Sequence, residues 1–338
     1  MQKSHTGLHR FSMLVVGATL CLIFIGGLVT TRDAGMSVPD WPTTFHYSMF
    51  SYPVAKWMSE DAVESGVFYE HSHRLFASIV GLFTTVLAIW IWTVDPRAWM
   101  RRLGSAAFLL VVAQGVLGGL RVTHSSLALA MVHGCTAQAF LCVLVLIAIG
   151  LSPRWEAVPL HGENLRGICR TGWLLVAAVY TQLVIGAVMR HLKAGLAIPT
   201  FPRSGLNGEW IPPYWCTGVA FNFAHRIGAV VVTLIILALL AQITVAAGRE
   251  MLLVKPARWL VVLVIMQIGL GVHVILKLRP PTLTTLHVLN GAIILSTSFL
   301  LAVRASRLSS NARKSKEHKS PGLINPCQPL PSIRGVAT

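Results

Sequence analysis

The chain has 338 residues, of which 54% are hydrophobic and only 12% are charged, and its mean hydropathy is +0.66. Because a soluble domain carries about 25% charged residues, this composition excludes an ordinary soluble domain and indicates a membrane protein. The net charge of +16 arises from 28 Lys and Arg against 12 acidic residues. In such an apolar chain we assign this charge to cytoplasmic loops and a tail that contacts membrane lipid, not to nucleic-acid binding.

Eight apolar segments follow one another along the chain. A membrane helix needs roughly 20 apolar residues to cross about 30 Å of hydrocarbon. The segments that meet this length are 12–31, 73–94, 104–122, 128–150, 171–190, 221–243, 258–277 and 283–303. The first lacks a small-residue cleavage site and is interpreted as a retained helix. Since most Lys and Arg fall on the side of the N-terminus, the pattern predicts a multi-pass protein of the cell (inner) membrane with both termini cytoplasmic.

The two halves of the chain repeat. The run Ala34–Pro39 recurs 160 residues later as Ala194–Pro199, and Gln114–Gly118 recurs as Gln267–Gly271. Four helices in each repeat insert both halves the same way up. The predicted fold is an all-α membrane protein with eight transmembrane helices, arranged as two repeated four-helix bundles. Its predicted parts are a cytoplasmic N-terminus (1–11), an N-terminal bundle (12–150), a cytoplasmic linker (151–170), a C-terminal bundle (171–303) and a disordered basic tail (304–338).

Four histidines form two matched pairs. His73-Arg74 recurs as His225-Arg226 152 residues later, and His133 recurs as His287 after 154 residues. Ionisable side chains inside a membrane are costly, usually face the bundle interior and mark functional sites. Two imidazoles from opposite helices complete the coordination of a haem iron. The alternative is that each histidine lies at the interface and is hydrogen-bonded to a loop, but the repeated spacing favours iron ligation.

The residues beside these histidines differ between the halves. Arg74 and Arg226 are candidates for binding haem propionates, because a guanidinium suits carboxylates, and the alternative is that they reach out to lipid headgroups. Glu70 precedes His73 by three residues and shares its helix face, whereas its counterpart in the second half is Asn222. Only the first site therefore has a carboxylate that could accept a proton or stabilise positive charge. The alternative for Glu70 is an interfacial ion pair with Arg74 or a loop lysine.

Other polar residues near the long loops are weaker candidates. His71 has no repeat partner and is expected to face away from His73. The stretch Pro39–Pro42 is typical of a turn-rich loop that caps a bundle or touches a ligand. The weaker candidates in and around it are Asp33, Asp40, Trp41 and Arg121.

Taken together, these motifs resemble the haem A synthase family. The resemblance covers roughly residues 12–303. The motifs that carry it are Gly35–Pro42, Glu70-x-x-His73-Arg74, Gln114–Val122, His133-Gly134, Asn207–Pro212, His225-Arg226 and His287.

This resemblance implies an enzyme, an oxidoreductase that converts haem O to haem A for terminal oxidases. The C8 methyl group of haem O becomes a formyl group through successive hydroxylations. It also implies distinct roles for the halves: His225 and His287 would hold a haem b cofactor, and His73 and His133 would serve the substrate haem. Glu70 would be the catalytic residue. We place Arg226 with the haem b site and Arg74 with the substrate haem.

The chain departs from the family pattern in its cysteines. Some members carry a cysteine pair in one or both long outer loops, but segment 32–72 has no cysteine here and the second loop has only Cys216. Electrons must therefore enter from a donor that the sequence does not identify. A homo-oligomer and contact with the farnesyl transferase that makes haem O also remain open.

Two other functions compete with the enzyme. The main alternative is a membrane di-haem electron carrier that takes electrons from quinol and does not modify haem. A small-molecule transporter is less favoured, because histidines aligned near one membrane face do not outline a central path.

Overall fold

The computed structural model describes residues 6–155, 165–247 and 251–319. Within these residues, eight helices are long and apolar enough to cross a membrane, which confirms the predicted eight-helix membrane protein. They are longer than the apolar segments, because the backbone stays hydrogen-bonded through the polar interface. The eight are α1 (Thr6–Thr31), α4 (Val67–Val94), α5 (Ala98–Thr123), α6 (Leu127–Leu151), α7 (Leu165–His191), α8 (Thr217–Ala247), α9 (Met251–Leu276) and α10 (Pro281–Lys319).

Two long loops carry the remaining elements. The first contains the antiparallel strands β1 (Thr43–Thr44) and β2 (Tyr47–Ser48) and the short helices α2 (Val54–Trp57) and α3 (Glu60–Glu64). The second contains a 3-10 turn at Ala194–Leu196. In both loops the X-Pro bond of the repeated motif is cis, at Trp41-Pro42 and at Phe201-Pro202. We call the end of the helices where residues 32–66 and 192–216 lie the long-loop end.

The helices of each half pack in a ring. Neighbours in the order α1, α4, α5, α6 contact one another and α6 closes on α1, while α7, α8, α9 and α10 do the same. The halves meet where α10 contacts α1 and α6, and where α6 contacts α7. Each half has its own buried core, with Leu87 and Leu141 in the first and Leu175 and Leu239 in the second. These contacts support the predicted pair of four-helix bundles.

The last helix corrects the predicted start of the tail. Residues 304–319 were predicted to be disordered, but α10 continues through them to Lys319. Ala305 and Leu308 are buried in the core of the second half, and this packing extends the helix past the end of its apolar run. Residues 320–338 of the predicted tail lie outside the described residues.

Two other predicted boundaries also move. Helix α7 begins at Leu165, inside the predicted linker, because Leu165 and Ile168 are buried in the second core. Helix α1 begins at Thr6 and buries Leu8 in the first core. Residues 156–164 of the linker and residues 1–5 of the N-terminus lie outside the described part of the chain.

Candidate functional site

The second-half histidines face each other across the bundle. The imidazole centroids of His225, on α8, and His287, on α10, are 6.2 Å apart, and the ring planes differ by 57°. Metal–imidazole nitrogen bonds are about 2 Å long, so two imidazoles on opposite sides of one iron have centroids about 6 Å apart. The pair therefore has the spacing that a six-coordinate haem iron requires.

Glutamines from neighbouring helices hold the backbone beside these ligand candidates. Gln182 Nε2 donates to the carbonyl oxygen of His225 at 2.7 Å and lies 3.1 Å from the Nδ1 of that residue. Gln267 Nε2 donates to the carbonyl oxygen of His287 at 3.0 Å. None of the Nε2 atoms of the four paired histidines has a hydrogen-bond partner among the described residues. Each is therefore free to bind iron.

The first-half pair is His73 on α4 and His133 on α6. The two imidazoles are close enough to interact electrostatically, and Arg121 is close enough to affect both. With its amide oriented to satisfy its neighbours, Gln114 donates to the carbonyl oxygen of His133 at 3.2 Å. The first half thus repeats one of the two glutamine contacts, while Leu22 stands where the second half has Gln182.

A glycine on a neighbouring helix lies against each of the four imidazoles. A Cβ atom added at any of these glycines would come within 2.9–3.3 Å of the imidazole Cε1, which is closer than an ordinary carbon contact. The pairs are Gly26 with His73, Gly118 with His133, Gly186 with His225, and Gly271 with His287. The sequence repeat contained these glycines, but their role as seats for the imidazoles appears only in the structure. They fix the position of each ring because no side chain separates it from the adjacent helix.

Glu70 and Arg74 hold the first long loop. Glu70 is 3% exposed; its Oε1 accepts from Arg74 Nη2 and its Oε2 accepts from the Val38 N–H, both at 3.0 Å. Arg74 also donates to the carbonyl oxygens of Val38, Asp40 and Thr43 at 2.9, 2.7 and 3.0 Å. The ion pair proposed as the alternative role of Glu70 is confirmed. The catalytic role of Glu70 stays a prediction.

Arg226 and Asn222 hold the second loop in a similar way, except that Asn222 donates hydrogen bonds to the loop whereas Glu70 accepts one from it. Arg226 Nε donates to Asn222 Oδ1 at 3.2 Å, and the Asn222 amide donates to loop carbonyls that have no counterpart in the Glu70 contacts. The carbonyl acceptors of Arg226 are Ile198, Thr200 and Arg203, and those of Asn222 are Ala194 and Gly195. Most guanidinium N–H groups of Arg74 and Arg226 are therefore engaged by loop backbone, which leaves few donors for the propionates predicted as their partners.

The remaining loop candidates do not converge on the imidazoles. His71 is 1% exposed, its Nδ1 lies 3.3 Å from Thr44 Oγ1, and its ring contacts those of Tyr52 and Trp57, so it packs in the loop. Asp33 pairs with Lys193 at the surface. Trp41 is the exception, because its indole packs on Gly119, next to the glycine that seats His133.

Asp40 organises the turn of the first loop. Its carboxylate accepts hydrogen bonds from Thr43 Oγ1 and from the N–H groups of Phe45 and His46, two residues with positive φ. Burial alone would raise the pKa of Asp40, but these hydrogen bonds outweigh it and lower the pKa to about 2. Asp40 therefore stabilises the conformation of this loop.

With this geometry established, comparison with known proteins places the chain. Residues 9–300 match the cytochrome oxidase assembly protein family COX15-CtaA. The chain belongs to this family. Curated relatives named "Heme A synthase" include those of Shouchella clausii, 27% identical over 80% of this chain and 88% of the relative, and Symbiobacterium thermophilum, 29% identical over 78% and 84%. The relative of Halalkalibacterium halodurans is 25% identical over 90% of this chain and 98% of its own length.

The donor set fits haem better than a bare metal ion. Among the described residues no group of three or more His, Cys, Asp or Glu lies together to hold a metal ion. A haem iron needs only two axial ligands from the protein, because the tetrapyrrole supplies the other four. The paired imidazoles meet this requirement, and the described cysteines are all free thiols.

Proposed function

We propose that this chain is the haem A synthase of a cell membrane and that its four paired histidines bind the tetrapyrroles. As a member of its family the chain is an oxidoreductase that converts haem O to haem A by oxidising the C8 methyl group to a formyl group. The family match and the names of the relatives support this activity. The 6.2 Å separation of the His225 and His287 rings carries the assignment of the residues.

The second half holds the haem b cofactor in this proposal. His225 and His287 would hold the haem iron, and the cofactor would supply one-electron transfer. Gly186 and Gly271 seat the two rings, and Gln182 restrains the backbone at His225. The neutral Asn222 leaves no carboxylate in the corresponding position, as suits a site that retains its haem unchanged.

The first half takes haem O as substrate. His73 and His133 face it, and Glu70 is the feature that distinguishes this half. Because both Glu70 oxygens bind the chain itself, we assign Glu70 as a positioning residue that keeps the first loop over the site. Its buried negative charge also acts on Arg121, and it would stabilise positive charge forming on the substrate nearby.

The distribution of basic residues supports the orientation. We propose that both termini are cytoplasmic and that the long-loop end faces the outer side of the inner membrane. Haem O then reaches the first half from within the membrane, supplied by the farnesyl transferase that makes it, and electrons come from a separate donor.

The haem content of the purified full-length chain tests this function. Protein from cells that make haem O should retain haem B and carry haem O or A at the second position. His225→Ala or His287→Ala should remove haem B, because each deletes an axial ligand. His273→Ala is the matched control, since His273 is exposed on α9 and, among the described residues, its side chain hydrogen-bonds to the carbonyl oxygen of Gly269 one turn earlier.

Two results would contradict the proposal. Unchanged haem B in both histidine variants would reject the ligand assignment. Two haem B groups in each chain, with haem O and A never detected, would favour the di-haem electron carrier.

A further inference from the structure

Three arginines at the long-loop end form no ion pair in the described part of the chain. They are Arg121 in the last turn of α5, Arg190 in the last turn of α7, and Arg279 just after α9. The ion pairs that the structure describes join other residues: Arg74 with Glu70, Arg97 with Asp95, and Lys193 with Asp33. All three arginines are partly buried. Glu70 attracts the charge of Arg121 and Asp33 attracts that of Arg190, but these carboxylates form their ion pairs with Arg74 and Lys193. A partly buried cation that forms no ion pair of its own is costly near a membrane, so this arrangement calls for an anion.

Two of these arginines stand directly beyond the seats of the imidazoles. Arg121 follows Gly118, the seat of His133, by three residues, and Arg190 follows Gly186, the seat of His225, by four. Residues three or four apart share one face of a helix and are separated by about one turn of 5.4 Å. Each arginine therefore lies about one turn beyond the glycine that seats a ligand candidate, on the same helix face and towards the long-loop end.

The hydrogen bonds of these arginines leave donors free. Arg121 Nη2 donates to the Gly35 carbonyl oxygen at 3.0 Å, and Arg190 Nη2 donates to the Gly27 carbonyl oxygen. Arg190 Nε is buried and has no partner among the described residues. Each of these bonds uses one of the five guanidinium N–H groups of its arginine. Each arginine can therefore still bind a carboxylate with two donors.

Arg279 completes the set in the second half. Its stem packs against Gly195, 3.3 Å from the position of an added Cβ, and a Cβ on Gly35 would collide with Arg121. Gly35 and Gly195 are equivalent in the repeat, so Arg121 and Arg279 occupy matching places. Arg279 is also close enough to Arg190 for their charges to repel each other, which an anion between them would relieve.

We propose that these three arginines bind the carboxylate groups of the two tetrapyrroles: Arg121 at the first-half site, and Arg190 with Arg279 at the second-half site. This inference rests on the proposed function, since it needs a haem in each half. It replaces Arg74 and Arg226 in this role, because loop carbonyls occupy most of their donors. Arg121 and Arg279 occupy matching places in the two halves, and Arg190 adds a second positive charge in the second half, where the equivalent first-half residue is Thr30.

Absorbance titration of the haem-free full-length chain with ferric haem B and with its dimethyl ester tests the proposal. The ester keeps the iron and the ring but lacks the carboxylate charges. A His73→Ala background restricts binding to the second half. There we expect haem B to bind about 10- to 100-fold more tightly than its ester, because charge-assisted hydrogen bonds are lost with the ester.

Arg279→Gln is the first variant to compare, because the Arg279 side chain makes no hydrogen bond within the described residues. It should reduce the preference for haem B over the ester by about tenfold. Lys277→Gln is the matched control, since Lys277 is exposed in the same segment and should leave the preference unchanged. Arg121→Gln in a His225→Ala background applies the same test to the first half.

Several outcomes would overturn the proposal. Equal affinity of the wild-type chain for haem B and for the ester is one of them. Another is an equal loss of affinity for both ligands in Arg279→Gln, which would indicate a purely structural role. A preference that disappears only in bilayers with anionic phospholipid would assign the arginines to lipid phosphates. Failure of the proposed function itself looks different: haem binding would then be unaffected by His225→Ala in the otherwise unmodified chain.

Discussion

Exchanging Glu70 for glutamine tests whether its carboxylate holds the first loop. Both oxygens accept buried hydrogen bonds, one from Arg74 and one from the N–H of Val38. A glutamine has one acceptor and one donor group at its end. In either orientation its amide nitrogen must therefore face a donor, so Glu70→Gln leaves one buried donor without a partner.

The size of the effect follows from these contacts. A buried donor without a partner costs about 1–3 kcal/mol. Since 1.4 kcal/mol corresponds to about a tenfold change in an equilibrium constant, local opening of residues 32–66 should increase about 5- to 150-fold. Amide hydrogen exchange of the loop peptides, measured by mass spectrometry on the purified chain, reports this opening.

Asn222→Asp provides the matched control in the other half. The Asn222 amide donates to two loop carbonyls, so an aspartate there places negative oxygens against carbonyl oxygens. Exchange should rise in residues 192–216 and stay unchanged in 32–66, the reverse of the Glu70→Gln result. If Glu70→Gln abolished haem A formation while exchange in 32–66 remained at the wild-type rate, the loop-holding role would be refuted and Glu70 would act directly on the substrate.

Three further predictions concern positions that the structure singles out. Gly271→Ala should displace the His287 imidazole and lower haem B retention about tenfold, whereas Gly269→Ala, with open space at its Cβ, should retain the wild-type haem content on pigment extraction. Gly119→Ala should displace the indole packed on it and change tryptophan fluorescence without affecting haem B retention. Asp40→Asn should increase hydrogen exchange in the loop turn at pH 5. Because the pKa of Asp40 is lowered from 3.8 to about 2, its stabilisation is complete above 3.8 and is lost as the pH falls through about 2, where variant and wild type should exchange alike.

Local patterns predicted much of the fold and part of the site. Hydropathy located all eight helices, because a bilayer span requires a long apolar run whatever its neighbours. It misplaced the end of α10, where Ala305 and Leu308 continue the helix through contacts with the second core. The repeat of His73 and His133 as His225 and His287 indicated two sites, and the second pair has the spacing for one iron.

The roles of the arginines were outside the reach of the sequence pattern. Arg74 follows a histidine directly, which suggested a ligand role, but its partners are carbonyls more than 30 residues away in the chain. Backbone carbonyls carry no sequence signal, so such contacts appear only when the loop is folded. One local signal points to Arg121 and Arg190, because they follow repeated glycines by three and four residues, respectively.

The sequence by itself determined the membrane class, the eight helices, the repeat and the paired histidines. These depend on composition and on spacing along one helix, which the local chain dictates. The tertiary structure decided which cations are engaged by the chain and which remain available for an anion. That distinction depends on hydrogen bonds between distant segments, and those form only when the loops fold back over the bundles.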